Sequence, residues 1–180
     1  MSSEVVARRY ARAVFELAKE QKKVSEVVRE FRSFADAYDA SGDFRALGIT
    51  PNISDADRQA VIDQIGKRLG ASVTTIRTVS MLAARQRLSV LPDLVRLLDQ
   101  LADDHGGIVR ASVRAAHPLS ETYLGKLQAK IEEATGKKVV LTFEQDPSLI
   151  AGIVTQIGDR FVDGSIRGKL NRFAESLRQT

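Results

Sequence analysis

Two kinds of hydrophobic spacing divide this chain. Up to about residue 103, apolar residues recur at intervals of three and four, the signature of helices with one buried stripe. Beyond residue 107 they mostly alternate with polar residues, the signature of half-buried strands. Residues 4 to 20 predict the first helix. At about 100° per residue, Arg8, Arg9, Arg12, Glu16, Lys19 and Glu20 share one arc, and the apolar residues fill an arc roughly 200° wide, about twice what a helix facing one core needs. Ala7, Ala11 and Ala18 beside Phe15 suit close packing inside the protein. Val6, Tyr10, Ala13 and Leu17 form a second seam, which is either further core or a face for another amphipathic helix. Tyrosine fits the second role well, because its ring buries while its hydroxyl stays wet.

Five further helical segments follow. Residues 24 to 40 carry Val24, Val27, Val28, Phe31, Phe34, Ala35 and Tyr38 as a stripe, closed by Ser41-Gly42. Phe44 to Ile49 predicts a short helical turn stopped at Pro51. Ser54 then caps a helix to about Leu69, with Asp55 and Asp57 in its first turn, where negative charge is favoured. Val61, Ile62, Ile65 and Leu69 are expected inside, and Gly70 closes it. The next helix, Val73 to about Gln86, has only Arg77 and Arg85 as charges, which implies contact on more than one side. Ile76, Val79 and Ala83 point one way, and Met81 lies about 140° round the helix from Ile76. Met81 is an adaptable contact residue, suited equally to a core or to a partner. A sixth helix begins at Arg87-Leu88, with Leu91, Leu94, Val95, Leu98 and Leu101 as its stripe and Pro92 in its first turn.

Asp103-Asp104-His105-Gly106-Gly107 marks the expected boundary, giving units 1–105 and 106–180. In the second, Val109, Ala111, Val113 and Ala115 alternate with Arg110, Ser112 and Arg114 in a strand ended by Pro118. Ser120 caps a helix with Leu124, Leu127, Ile131 and Ala134 inward, closed by Gly136. Val139, Leu141 and Phe143 alternate in the next strand. Leu149 to Ile157 is apolar and of strand length, with Gly152 inside it expected where another segment comes close. Gly158-Asp159 supplies a hairpin turn, Phe161-Val162 returns, and Asp163-Gly164-Ser165 opens a last helix burying Ile166, Leu170, Phe173 and Leu177. The expected fold class is α+β: an N-terminal six-helix bundle followed by a small C-terminal α/β unit with a mixed sheet.

Composition narrows the chemistry. The chain has 180 residues, no cysteine, two histidines and a net charge of +4. Disulfides and thiol nucleophiles are excluded, and most structural zinc sites with them. The N-terminus has no charged stretch leading into an apolar core, and no run approaches the roughly 20 apolar residues of a membrane span. A soluble, unexported protein is expected. His105 and His117 each neighbour a chain breaker and suit loops. Gly168-Lys169-Leu170 lacks both the first glycine and the hydroxyl of a phosphate loop. No catalytic residue, metal or cofactor is therefore expected. The pI near 9.5 motivates one alternative, a nucleic-acid-binding module with steep salt dependence. The basic residues are interspersed with acidic ones, however, so a solvated mixed-charge surface is the stronger reading.

The stretch from Asp146 to Phe173 resembles the C-terminal signature of the delta subunit of bacterial F-type ATP synthases, whose mitochondrial relative is the oligomycin-sensitivity-conferring subunit. The matching residues are Ala151-Gly152, Gly158-Asp159, Asp163 with Ser165, and Arg167-Gly168 with Leu170. Arg8 to Ala18 is similar to that family's first helix, and Arg87 to Pro92 to its R-L-x-x-L-P region. The Glu-Asn often found before that region is replaced here by Ala84-Arg85. The resemblance implies a non-catalytic stator-stalk subunit that joins the catalytic head to the peripheral stalk, so that rotation is coupled to ATP synthesis and proton transport. It implies an alpha-subunit N-terminal helix held by the first unit, through Val6, Tyr10, Ala13, Leu17 and Met81. It also implies peripheral-stalk b subunits held by the second, for which Lys169, Arg172 and Arg178 of the last helix are candidates. Neither nucleic acid nor direct membrane insertion is implied. The location implied is the cytoplasmic face of the bacterial cell membrane, peripherally, within the complex.

Overall fold

The computed structural model describes residues 3–50, 53–149, 151–158 and 160–163. The last helix expected from the sequence, with Lys169, Arg172 and Arg178, lies outside them. The chain divides into two compact units, Met1–Ala102 and Asp103–Thr180. The first holds α1 (Ser3–Glu20), α2 (Val24–Ala40), α3 (Gly42–Leu47), α4 (Asp55–Leu69), α5 (Val73–Ala84), a 3-10 turn at Leu88–Val90, and most of α6 (Leu91–Gly106). The helix starts follow the local chemistry. Ser41, Ser54 and Ser72 each sit in extended backbone just before a helix, and each accepts from the amide three residues on, which satisfies a first-turn donor with no helical partner. Gly70 ends α4 at φ +66°, a left-handed conformation that costs glycine nothing.

One core fills the first unit. Phe31, Phe34, Ile62, Val79, Leu82, Leu88, Leu91 and Leu94 are fully enclosed, and they cluster with Ala7, Ala11, Val14, Phe15 and Ala18 of α1. The expected inner face of α4 is corrected by the structure. Val61 and Leu69 are 40% and 38% exposed; the buried stripe is Arg58, Ile62 and Gly66. Gly66 is there because α5 crosses closely: a β-carbon at that position would lie 2.4 Å from Ile76 Cγ1 and 3.3 Å from Phe34 Cζ.

In the second unit, β1 (Ile108–Ala115), α7 (Glu121–Thr135) and β2 (Lys138–Gln145) form a strand-helix-strand crossover, followed by β3 (Ile153–Ile157) and β4 (Arg160–Asp163). The four-stranded sheet has the order β2-β1-β3-β4. β1 pairs in parallel with β2, Ala111 opposite Leu141, and antiparallel with β3, Ala111 opposite Ile157. The sheet is therefore mixed. Leu127 and Ile131 of α7 cover Ala111, Val139 and Leu141 on one face. Ala134, expected inward, is exposed; Gln128 turns in instead. Its amide donates to the carbonyl of Val139 at 2.9 Å, while Glu132 accepts from the Val139 amide at 3.0 Å.

Two other expectations need correction. The apolar run from Leu149 is not one strand: Pro147–Leu149 is a 3-10 turn, and β3 begins only at Ile153. Gly152 lies between them, exposed and at φ +96°, and this left-handed bend calls for glycine. His105 lies in the last turn of α6 rather than in a loop.

Replacing Gly66 by alanine tests the α4–α5 contact. Alanine favours a helix by about 1 kcal/mol over glycine, yet a stiff β-branched side chain stands where the methyl must go. The Gly66→Ala protein should be less stable by about 1–3 kcal/mol, read as a lower urea midpoint for the first unit.

Candidate helix-binding face

The wide apolar arc of α1 is resolved into two parts. Ala7 and Ala11 are fully enclosed, and Val14, Phe15 and Ala18 nearly so. Of the five residues expected to face a partner, Val6 and Tyr10 retain only 8% of their surface and belong to the unit's own core. Ala13 is exposed, and Leu17 and Met81 are 39% and 41% exposed. The seam is thus divided along its length: its Val6–Tyr10 end is filled from within, and its Ala13–Leu17 end is open.

Tyr10 is also tied to the end of α5. Its hydroxyl accepts from Arg85 Nη1 at 3.2 Å, so the C-terminal end of α5 lies beside the middle of α1. Arg85 occupies a position where the sequence departs from the pattern it otherwise resembles, and here it makes this contact. Along α5, Val73, Arg77, Met81 and Arg85 succeed one another four residues apart and form a single ridge. All four are exposed, while Thr75, Val79, Leu82 and Ala83 are buried.

Both ends of α5 are held by buried polar groups. At its start, Glu30 of α2 is only 7% exposed, and its carboxylate accepts from Ser72 Oγ at 2.7 Å and Thr75 Oγ1 at 2.5 Å. At its end, Arg58 of α4 is 3% exposed. Its guanidinium donates to the carbonyls of Thr50 at 2.5 Å and Ile53 at 3.1 Å, and lies 3.5 Å from that of Ala83. The anion sits at the positive end of the helix dipole and the cation at the negative end, the favourable arrangement at each. Sequence reasoning missed both, because neither is apolar. Their one signal was a charged residue on an otherwise apolar stripe: Glu30 beside Phe31 and Phe34, Arg58 four residues before Ile62.

Among the described residues, no group of three or more His, Asp or Glu is placed to hold a metal ion, and no helix is long and apolar enough to cross a membrane. What these residues offer is contact: a partly apolar ridge on a braced α5, and an open end on α1. Fold and site together define a scaffold protein, a helical bundle followed by a small mixed-sheet unit.

Comparison with known proteins gives the family. The family described as ATP synthase delta (OSCP) subunit matches residues 6–177. The chain is 35% identical over 174 residues to "ATP synthase subunit delta" of Roseobacter denitrificans, covering 97% of this chain and 94% of that one. It is 37% identical over 175 residues to the protein of the same name from Desulfatibacillum aliphaticivorans, covering 97% and 96%. A chain of the Toxoplasma gondii mitochondrial ATP synthase hexamer shares the fold, with a TM-score of 0.67 and 24% identity over 95% of this chain and 96% of that one. The protein therefore belongs to the ATP synthase delta (OSCP) subunit family. It is a non-catalytic component of the peripheral stalk, or stator, of ATP synthase.

Burial separates the two roles within the seam, and mutation reads them apart. Leu17→Ser and Met81→Ser should each change unfolding stability by no more than about 0.5 kcal/mol, as surface substitutions do. Tyr10→Ala should cost about 3 kcal/mol through the cavity it leaves. Urea denaturation of the three variants measures both.

Proposed function

We propose that the first unit holds the N-terminal helix of an alpha subunit of the catalytic head, and that the second holds the distal ends of the peripheral-stalk b subunits. The observation that carries the first half is the exposure of Leu17 and Met81 on a unit whose core is already complete without them. An amphipathic helix laid against the ridge of α5 and the open end of α1 would remove both from water. At about 25 cal/mol per Å², such burial is the ordinary source of affinity for a helix in a groove. For the second half, Lys169, Arg172 and Arg178 are the charged rim read from the sequence.

The mechanism is mechanical. Rotation of a central shaft changes the conformation of the head only if the head is held still. The joint must stay bound under torque, which calls for slow dissociation rather than turnover. A braced helix suits that role, because little of the binding energy is spent on ordering the surface. Through these partners the protein sits peripherally at the cytoplasmic face of the bacterial cell membrane.

Titration calorimetry of the full chain with a peptide spanning the alpha subunit's N-terminal helix tests the first half. Binding at micromolar concentration is expected, weakened at least about tenfold (1.4 kcal/mol) by the Leu17→Ser/Met81→Ser double substitution. A folded protein that gives no heat with this peptide would remove the reading.

A further inference from the structure

We propose that Arg77 and Arg85 select the docked helix by its charge: the occupant carries carboxylates about two helical turns apart, one for each guanidinium. This rests on the docking of a helix at the α1–α5 face, proposed above, and adds what that helix must look like.

The ridge of α5 alternates apolar and cationic residues, Val73, Arg77, Met81 and Arg85. Val73 is 64% and Met81 41% exposed. At about 1.5 Å per residue, Arg77 and Arg85 stand about 12 Å apart along the helix. From Val73 to Ala84 α5 contains no acidic residue. Arg77 makes no side-chain hydrogen bond or ion pair among the described residues, so its guanidinium has no carboxylate there, unlike those of Arg8, Arg32, Arg96, Arg110 and Arg114, although Arg9, Arg12, Arg29, Arg68 and Arg87 are likewise unpaired. Among the described residues, Arg85 bonds to the neutral Tyr10 hydroxyl. That bond occupies a single N–H of the five in the guanidinium fork and fixes where the fork lies. The remaining donors suit a carboxylate approaching bidentately. The rim of α1 differs, because Arg9, Glu16 and Glu20 mix there. The cationic preference of the face therefore comes from α5. An occupant with apolar residues toward Met81 and Leu17 and carboxylates flanking them completes both the apolar and the charged parts of the ridge.

The test uses the full chain and two peptides in titration calorimetry: the alpha subunit's N-terminal helix, and the same peptide with every Asp and Glu changed to Asn and Gln. The wild-type protein should prefer the native peptide by about five- to tenfold, as two exposed pairs allow. Arg77→Gln/Arg85→Gln should cut that preference to within about twofold. The preference should also shrink as salt rises from about 0.01 to 0.15 M and the Debye length falls from about 30 to 8 Å. Arg77→Gln alone, which breaks no hydrogen bond or ion pair among the described residues, should lose about half of it on a logarithmic scale. Equal binding of both peptides, a native peptide without acidic residues, or an undiminished preference in the variants would overturn the inference and leave the docking reading standing. Failure of the wild-type protein to bind either peptide would remove both.

Discussion

The first unit depends on how α5 is held at its two ends. A carboxylate and a guanidinium taken out of water each carry a large desolvation penalty unless their hydrogen bonds are met. Here they are not paired with one another. Glu30 is met by the hydroxyls of Ser72 and Thr75 at the start of the helix, and Arg58 by the loop carbonyls of Thr50 and Ile53, with that of Ala83 at the helix end 3.5 Å away. Each ion then lies against the helix pole of opposite sign, so the dipole contributes to its solvation. Losing either would strand a buried helix end or a set of loop carbonyls, the kind of defect that costs far more than a surface contact.

A helix fixed this way can afford an outer surface that does nothing for the fold. Val73, Arg77 and Met81 are exposed while Val79 and Leu82 seal the core one ridge away. Arg85 links this ridge to α1 through Tyr10, in the closed half of α1's second seam. Stability and recognition are thus separated by position on the same two helices. For a subunit whose task is to hold, that separation matters: the surface offered to a partner is already ordered before the partner arrives.

The second unit follows a different logic. Its parallel pair, β1 with β2, requires a crossover, and α7 supplies it while covering one face. As an edge strand, β2 presents unpaired backbone groups. Gln128 and Glu132 take up both groups of Val139, so the crossover helix also closes part of the edge.

Much of this was legible in the sequence because it depends on spacing. Helical periods up to residue 103, alternation from 108, serine caps before α4 and α7, and a signature match near the C-terminus together pointed to the fold class and the family. These are local rules, set by which φ, ψ and hydrogen bonds a short segment can satisfy by itself. The failures that bear on the binding face were non-local. Val61 and Leu69 are apolar yet exposed, while Arg58 and Gly66 hold the buried stripe, since only the crossing of α5 decides which side of α4 is inside. Val6 and Tyr10 were indistinguishable from Ala13 and Leu17 by hydrophobicity; the packing of the folded unit separated them. Hydrophobic pattern determined that α1 had more apolar surface than one contact needs. Tertiary packing alone determined how much of it was left over, because burial is a property of neighbours that the chain brings together only when it folds.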